Sequence, residues 1–112
     1  MKDDKLYLIH IRECIERIEK YTTGGGKDAF LASTLIQDAV MRNLQTMAES
    51  TQRLSDAAKE AHPEVDWYKI SGFRNVLVHG YLGVDLDRVW IIVERDLPGL
   101  KSAIISMLKE RE

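Results

Sequence analysis

The octet Arg74-Asn75-Val76-Leu77-Val78-His79-Gly80-Tyr81 sets a permanent cation, an imidazole and a phenol at fixed spacing within one short stretch. A guanidinium forks onto a phosphate through paired N–H donors, and an imidazole moves a proton near neutral pH. Scission of an RNA strand by its own 2′-hydroxyl needs three things: a base for that proton, an acid for the departing 5′-oxygen and a cation for the charge building on phosphorus. Arg74 suits the charge clamp, and His79 suits base or acid. One histidine does not obviously fill both proton roles, so a second copy across a dimer interface, or Tyr81, would complete the set. Five residues of helix put His79 about 140° round from Arg74, so the two converge only if the helix ends there. Gly80 and Gly83 mark such an end, and a helix C-terminus favours the protonated imidazole. The alternative reading keeps these residues structural, with Arg74 paired to a carboxylate of the second helix and with His79 and Tyr81 capping and packing.

The elements that must position this octet follow from punctuation and apolar spacing. Gly24-Gly25-Gly26, His62-Pro63-Glu64 and the stretch from Gly80 to Gly83 break the chain, and between them apolar residues keep helical spacing. Tyr7, Ile11, Cys14, Ile18 and Tyr21 form one stripe of a first helix, from about Asp4 to Thr22. The second segment, from about Asp28 to Ala61, has no glycine or proline. As one helix at roughly 1.5 Å per residue it would reach about 50 Å. Val40, Leu44, Met47, Leu54 and Ala58, with Thr51 in register, form its apolar stripe. A neighbouring stripe starts at Leu31 and Leu35 and turns polar through Asp38, Arg42, Gln45, Glu49 and Gln52. That is either a solvated face with an Asp38–Arg42 pair at i,i+4 or a polar seam along a cleft.

Asp66 is a good N-cap for a third helix of about Trp67 to Val78, with Ile70, Phe73 and Leu77 on one face. The fourth segment starts near Leu86. Leu86, Trp90, Val93, Leu97, Leu100, Ile104 and Met107 keep a four-three rhythm that predicts helix, with a kink or brief break at Pro98-Gly99. The pattern predicts an all-α, up-and-down bundle of four to five helices, with residues 1–112 as a single domain.

Composition bounds the chemistry. The 112 residues suit one modest core, and 16 basic against 18 acidic residues leave no general positive field, so any RNA contact must be local. Cys14 is the sole cysteine, which excludes an intrachain disulfide and makes a thiolate metal cluster unattractive; it reads as a small apolar packer. His10, His62 and His79 lie on different segments without paired ligand spacing, so no metal and no cofactor are expected. His10 reads as a helix-surface residue, and His62 as the end of the second helix. Trp67 and Trp90 read as core or dimer-interface anchors. The triple glycine reads as an interhelical loop, because no Lys-Ser/Thr follows in P-loop order, and Lys27 beside it reads as solvated. No signal peptide and no apolar run of roughly 20 residues is evident, which predicts no membrane association and a cytoplasmic location.

Taken in order, several stretches resemble the HepT-type toxins of the HEPN superfamily of small helical ribonucleases, over nearly the whole chain. They are Ile15-Glu16-Arg17-Ile18-Glu19-Lys20-Tyr21, Gln37-Asp38-Ala39-Val40-Met41-Arg42-Asn43-Leu44, Pro63, Trp67, the octet from Arg74 to Tyr81, and Asp96-Leu97-Pro98. The resemblance implies a HEPN-like homodimer with both motifs near one shared cleft, acting as the toxin of a toxin–antitoxin pair. It implies that Arg74 and His79 are the ribonucleolytic pair and that Asn75 is the polar residue that often follows the arginine. Tyr81 would be the hydroxyl on which a partner nucleotidyltransferase antitoxin, of the MntA kind, places AMP. After Leu44 the family usually has a Gly-Glu-Ala segment; here Ala48 stands at the glycine and Glu49 keeps the glutamate. Asp38, Arg42 and Glu49 are therefore supporting candidates around the site. A competing reading is a non-catalytic helical module that docks a nucleotidyltransferase and presents substrate to it; such a module has no need of Arg74 and His79. A plain helical scaffold would need neither that pair nor a modifiable tyrosine.

Overall fold

The computed structural model describes residues 2–78 and 83–112. All of the described secondary structure is helical: α1 (Lys2–Thr22), α2 (Gly26–Ala32), α3 (Thr34–Arg53), α4 (Asp56–Glu60), α5 (Trp67–Ser71), α6 (Phe73–Val78), α7 (Leu86–Ile91), a π turn (Ile92–Asp96) and α8 (Leu97–Glu110). The four predicted segments hold as groups, but only the first is unbroken. A straight second segment would not fit a molecule whose longest extent is 40 Å.

Serine hydroxyls make the breaks that glycine and proline do not. Ser33 is extended, and its Oγ accepts the Ile36 N–H at 3.2 Å to start α3. Gln37 Nε2 reaches back to donate to the Phe30 and Leu31 carbonyls at 2.9 and 3.1 Å, satisfying the end of α2. Leu54 leaves α3 in an extended conformation, and Ser55 caps α4 by accepting the Ala58 N–H at 3.1 Å. The third segment also divides, at Gly72 between α5 and α6. In the fourth, the interruption falls at Ile92–Asp96 instead of at Pro98-Gly99. Pro98 lacks an N–H and its ring crowds the carbonyl four residues back, so the strain appears as a widened turn before it.

The core lies where α1 packs against α3 and α8. Leu8, Ile11, Ile15 and Ile18 are fully buried and face Val40, Leu44 and Met47 of α3 and Ile104 and Met107 of α8 within one cluster. Each such side chain contributes about 1.5–3 kcal/mol of burial. The predicted α1 stripe is offset slightly, since Tyr7 is half-buried and Tyr21 exposed. The α3 stripe and the Trp90–Met107 stripe are inside, with Val93 half-buried. Trp90 stacks obliquely on Phe30, ring centroids 5.5 Å apart. Trp67 is half-buried and donates its indole N–H to the Lys59 and His62 carbonyls, both at 3.1 Å. Both tryptophans are thus fold anchors.

Polar contacts fix the antiparallel register. Asp4, His10 and Cys14 of α1 lie opposite Ser55, Ser50 and Thr46 in turn. His10 is half-buried in this seam, Nδ1 within 2.6 Å of Ser50 Oγ, and is not the surface residue its position suggested. Cys14 is fully buried, and burial pushes its thiol pKa up. Asp4 is only 2% exposed; it accepts the Ser55 N–H at 2.8 Å and the Ser55 O–H at 2.6 Å, and Arg111 from the end of α8 approaches to 3.6 Å. His62 closes the α4 corner, with Nδ1 3.0 Å from Glu64 and Nε2 2.9 Å from Glu110.

Two pH-dependent predictions follow from these ties. Burial pushes the Asp4 carboxyl up, but the Ser55 bonds and Arg111 outweigh it and hold the carboxyl below its ordinary value. Its stabilisation is present above the unfolded-state value of about 3.9 and is lost as pH falls through the lower folded-state value. Asp4→Ala should lower stability at neutral pH by about 2 kcal/mol, read as a lower urea midpoint, and flatten the acid limb. The Glu64 and Glu110 carboxylates raise the His62 pKa. That contribution is full below about pH 6.5 and is lost as pH rises through the raised value. Urea midpoints of His62→Gln taken across that window should lose this alkaline decline; a wild-type-like slope in the variant would remove His62 as its source.

Candidate functional site

α5 and α6 turn Ile70 and Phe73 inward, which places Arg74 and Asn75 on the outer face. Asp66 starts the pair as predicted, accepting the Lys69 N–H at 3.0 Å. Arg74 is exposed and makes no hydrogen bond or ion pair among the described residues. The pairing of Arg74 with a second-segment carboxylate is therefore not found. His79 and Tyr81, with Gly80 and Leu82, lie outside the described residues.

Asn75 lines a cleft of about 460 Å³ between α5–α6 and the α7–π stretch. Lys69, Gly72, Phe73 and Val76 supply one wall at helical spacing, and Arg88, Ile91, Ile92 and Asp96 supply the other. Lys69 Nζ bridges the walls to Asp96 at 3.0 Å. The floor is apolar; the rim carries an amide, a guanidinium and Tyr68.

The other sequence candidates sit elsewhere on the fold. Asp38 and Arg42 are exposed on α3, and Glu49 is half-buried. Among the described residues, none of the three shares a hydrogen bond or ion pair with Arg74, and Asp38 forms no ion pair with Arg42. Leu31 and Leu35, at the head of the same stripe, are exposed too, so the stripe is a solvated face. Lys27 pairs with Asp87 at 3.4 Å, joining α2 to α7, and is not merely solvated. No group of three or more His, Cys, Asp or Glu among the described residues is placed to hold a metal ion. No helix there is long and apolar enough to cross a membrane.

Sequence reasoning missed Tyr68, Lys69 and Arg88. No local signal marks Arg88: in the six-residue α7 it also falls in the last turn, where a cation is favoured.

Among the described residues, the fold and site thus define a helical domain that turns the Arg74 guanidinium, without an ion pair there, and a cleft with polar lining toward solvent. The family model described as ribonuclease HepT-like matches residues 11–107, and the chain belongs to this family. It is 34% identical over 108 residues to the "Probable ribonuclease HepT" of Thermococcus cleftensis, covering 96% of this chain and 98% of that one. It is 38% identical over 109 residues to a Methanocaldococcus jannaschii protein named "Gamma-glutamylcyclotransferase and putative RNase"; 97% of this chain is covered, and it spans about half, 49%, of that relative. No solved structure matches the chain.

Because Arg74 is exposed and makes no hydrogen bond or ion pair among the described residues, Arg74→Ala should change the urea midpoint by no more than the equivalent of about 0.5 kcal/mol. A larger loss would mean that the guanidinium has a structural partner.

Proposed function

We propose that this chain is a metal-independent endoribonuclease, the toxin of a toxin–antitoxin pair. The observation that carries this reading is the exposed Arg74, without a hydrogen bond or ion pair among the described residues and next in sequence to the cleft-lining Asn75, in a member of the HepT-like ribonuclease family. In the proposed reaction the RNA 2′-oxygen attacks phosphorus and the bond to the 5′-oxygen breaks. The products are a 2′,3′-cyclic phosphate and a 5′-hydroxyl. Arg74 clamps the non-bridging oxygens as charge builds on them. His79 handles one of the two protons, and the same residue of a second subunit in a shared dimer cleft, or Tyr81, handles the other. Asn75, exposed beside Arg74, donates or accepts a hydrogen bond to the bound strand.

Control falls to Tyr81. A partner nucleotidyltransferase adds AMP to its hydroxyl, bringing negative charge and bulk to within a few residues of Arg74. The added phosphate competes with RNA for that guanidinium.

The test is expression of wild type, Arg74→Ala and His79→Gln, each with and without the neighbouring nucleotidyltransferase. Purified proteins are assayed in parallel for RNA cleavage. Both variants should lose about 10²-fold or more in rate, the scale set by removing one charge-stabilising or proton-transfer group. Growth arrest should require Arg74 and vanish with the partner, and adenylate-sized mass should map to Tyr81. Unchanged cleavage without His79 would end the acid–base assignment. Absence of arrest in every combination, with no cleavage in vitro, would leave the docking module.

A further inference from the structure

We infer that the cleft between α5–α6 and the α7–π stretch is a binding subsite for single-stranded RNA, with Arg88 holding a phosphate and Tyr68 stacking a base next to the cut position. This rests on the ribonuclease reading above and extends it to residues that no motif assigns.

Three observations converge. First, Arg88 lines the cleft, is exposed and makes no ion pair among the described residues, although two carboxylates lie within three positions of it. Both are engaged: Asp85 accepts the Arg88 backbone N–H at 3.2 Å, and Asp87 pairs with Lys27 at 3.4 Å. The guanidinium is left available to a ligand in the cleft that Asn75, the sequence neighbour of Arg74, also lines. Second, Tyr68 is 91% exposed on the same rim. An aromatic ring that buries almost nothing in its own fold offers a face on which any base can stack. Third, Phe73, Val76, Ile91 and Ile92 give the cleft an apolar lining that suits a base plane. Lys69 is committed to Asp96.

The occupant is RNA and not a peptide because the lining offers the Arg88 guanidinium and the Asn75 amide to a phosphate and a base edge, and stacking on Tyr68 needs no sequence. The probe is a fluorescent 2′-O-methyl RNA oligonucleotide, which lacks the attacking hydroxyl, titrated by anisotropy against Tyr68→Ala, Tyr68→Phe, Arg88→Ala and wild type. Tyr68→Ala and Arg88→Ala should each weaken binding about 10-fold, and Tyr68→Phe should keep it. Arg88→Ala should also shrink the salt slope by about 0.7, the amount expected for one phosphate contact on a single strand. If wild type binds and cleaves RNA while both alanine variants match it, the subsite is wrong and the Arg74–His79 reading stands. If wild type neither binds nor cleaves, the ribonuclease reading falls and the subsite with it. If the variants weaken only the complex with the nucleotidyltransferase, the cleft is a protein dock and the inference is overturned.

Discussion

The Asp4 carboxylate, nearly inaccessible to solvent, takes both the N–H and the O–H of Ser55, fifty-one residues away in sequence. That contact joins the start of α1 to the corner where α3 ends and α4 begins, and Arg111 brings in the end of α8. Ser55 is thereby fully used: its hydrogen goes to Asp4 and its lone pair takes the Ala58 N–H. A buried carboxylate without such partners would cost several kcal/mol, so the corner and the register are specified together. Once α3 is fixed antiparallel to α1, the apolar seam from Leu8 to Ile18 closes and α8 packs on the same rod. The α5–α6 pair is then packed against α3, and the candidate cleft opens on its other side.

The cleft depends on irregularities in both of its walls. Gly72 divides α5 from α6, yet Lys69, Gly72, Phe73 and Val76 still share one face. Opposite them, the π turn inserts its extra residue just where Ile92 and Asp96 must look into the same space as Arg88 and Ile91. A continuous α-helix through Pro98 would rotate these side chains relative to one another by a large part of a turn. The proline that cannot donate to Glu94 thus shapes a surface several residues upstream.

Periodicity carried the helical class, the four-segment order and most of the core, because the stripes of α3 and of α7–α8 follow from apolar spacing alone. It did not carry the breaks. Ser33, Leu54 and Ser55 read as ordinary helix interior, since a serine inside an apolar helical rhythm does not by itself announce a cap; at Ser55 the partner that favours leaving the helix is Asp4, distant in sequence. His10 was misplaced for a related reason: its partner Ser50 lies forty residues away, and no local pattern announces that pairing. At the candidate site, Arg74 and Asn75 stand out in the octet by residue type, and both are exposed. Asp38, Arg42 and Glu49 stand on the α3 stripe that turns from apolar to polar, and among the described residues none of them bonds to Arg74. Tyr68, Lys69 and Arg88 escaped notice because their common cleft is created by packing two segments that sequence treats separately.

The charge balance decides how such a surface would hold RNA. A net formal charge of −2 gives no long-range pull on a polyanion, and fields beyond about 8 Å are screened at physiological salt. At the cleft, Arg88 makes no ion pair among the described residues, while Lys69 and Asp96 pair with one another. A phosphate arriving there would meet that guanidinium at short range, where screening matters least. Recognition would therefore rest on a few short-range contacts, so that stacking on Tyr68 contributes as much as any single charge. An acidic small protein with this arrangement would favour unpaired, flexible RNA whose bases are free to stack over a regular duplex, whose bases are already stacked inside the helix.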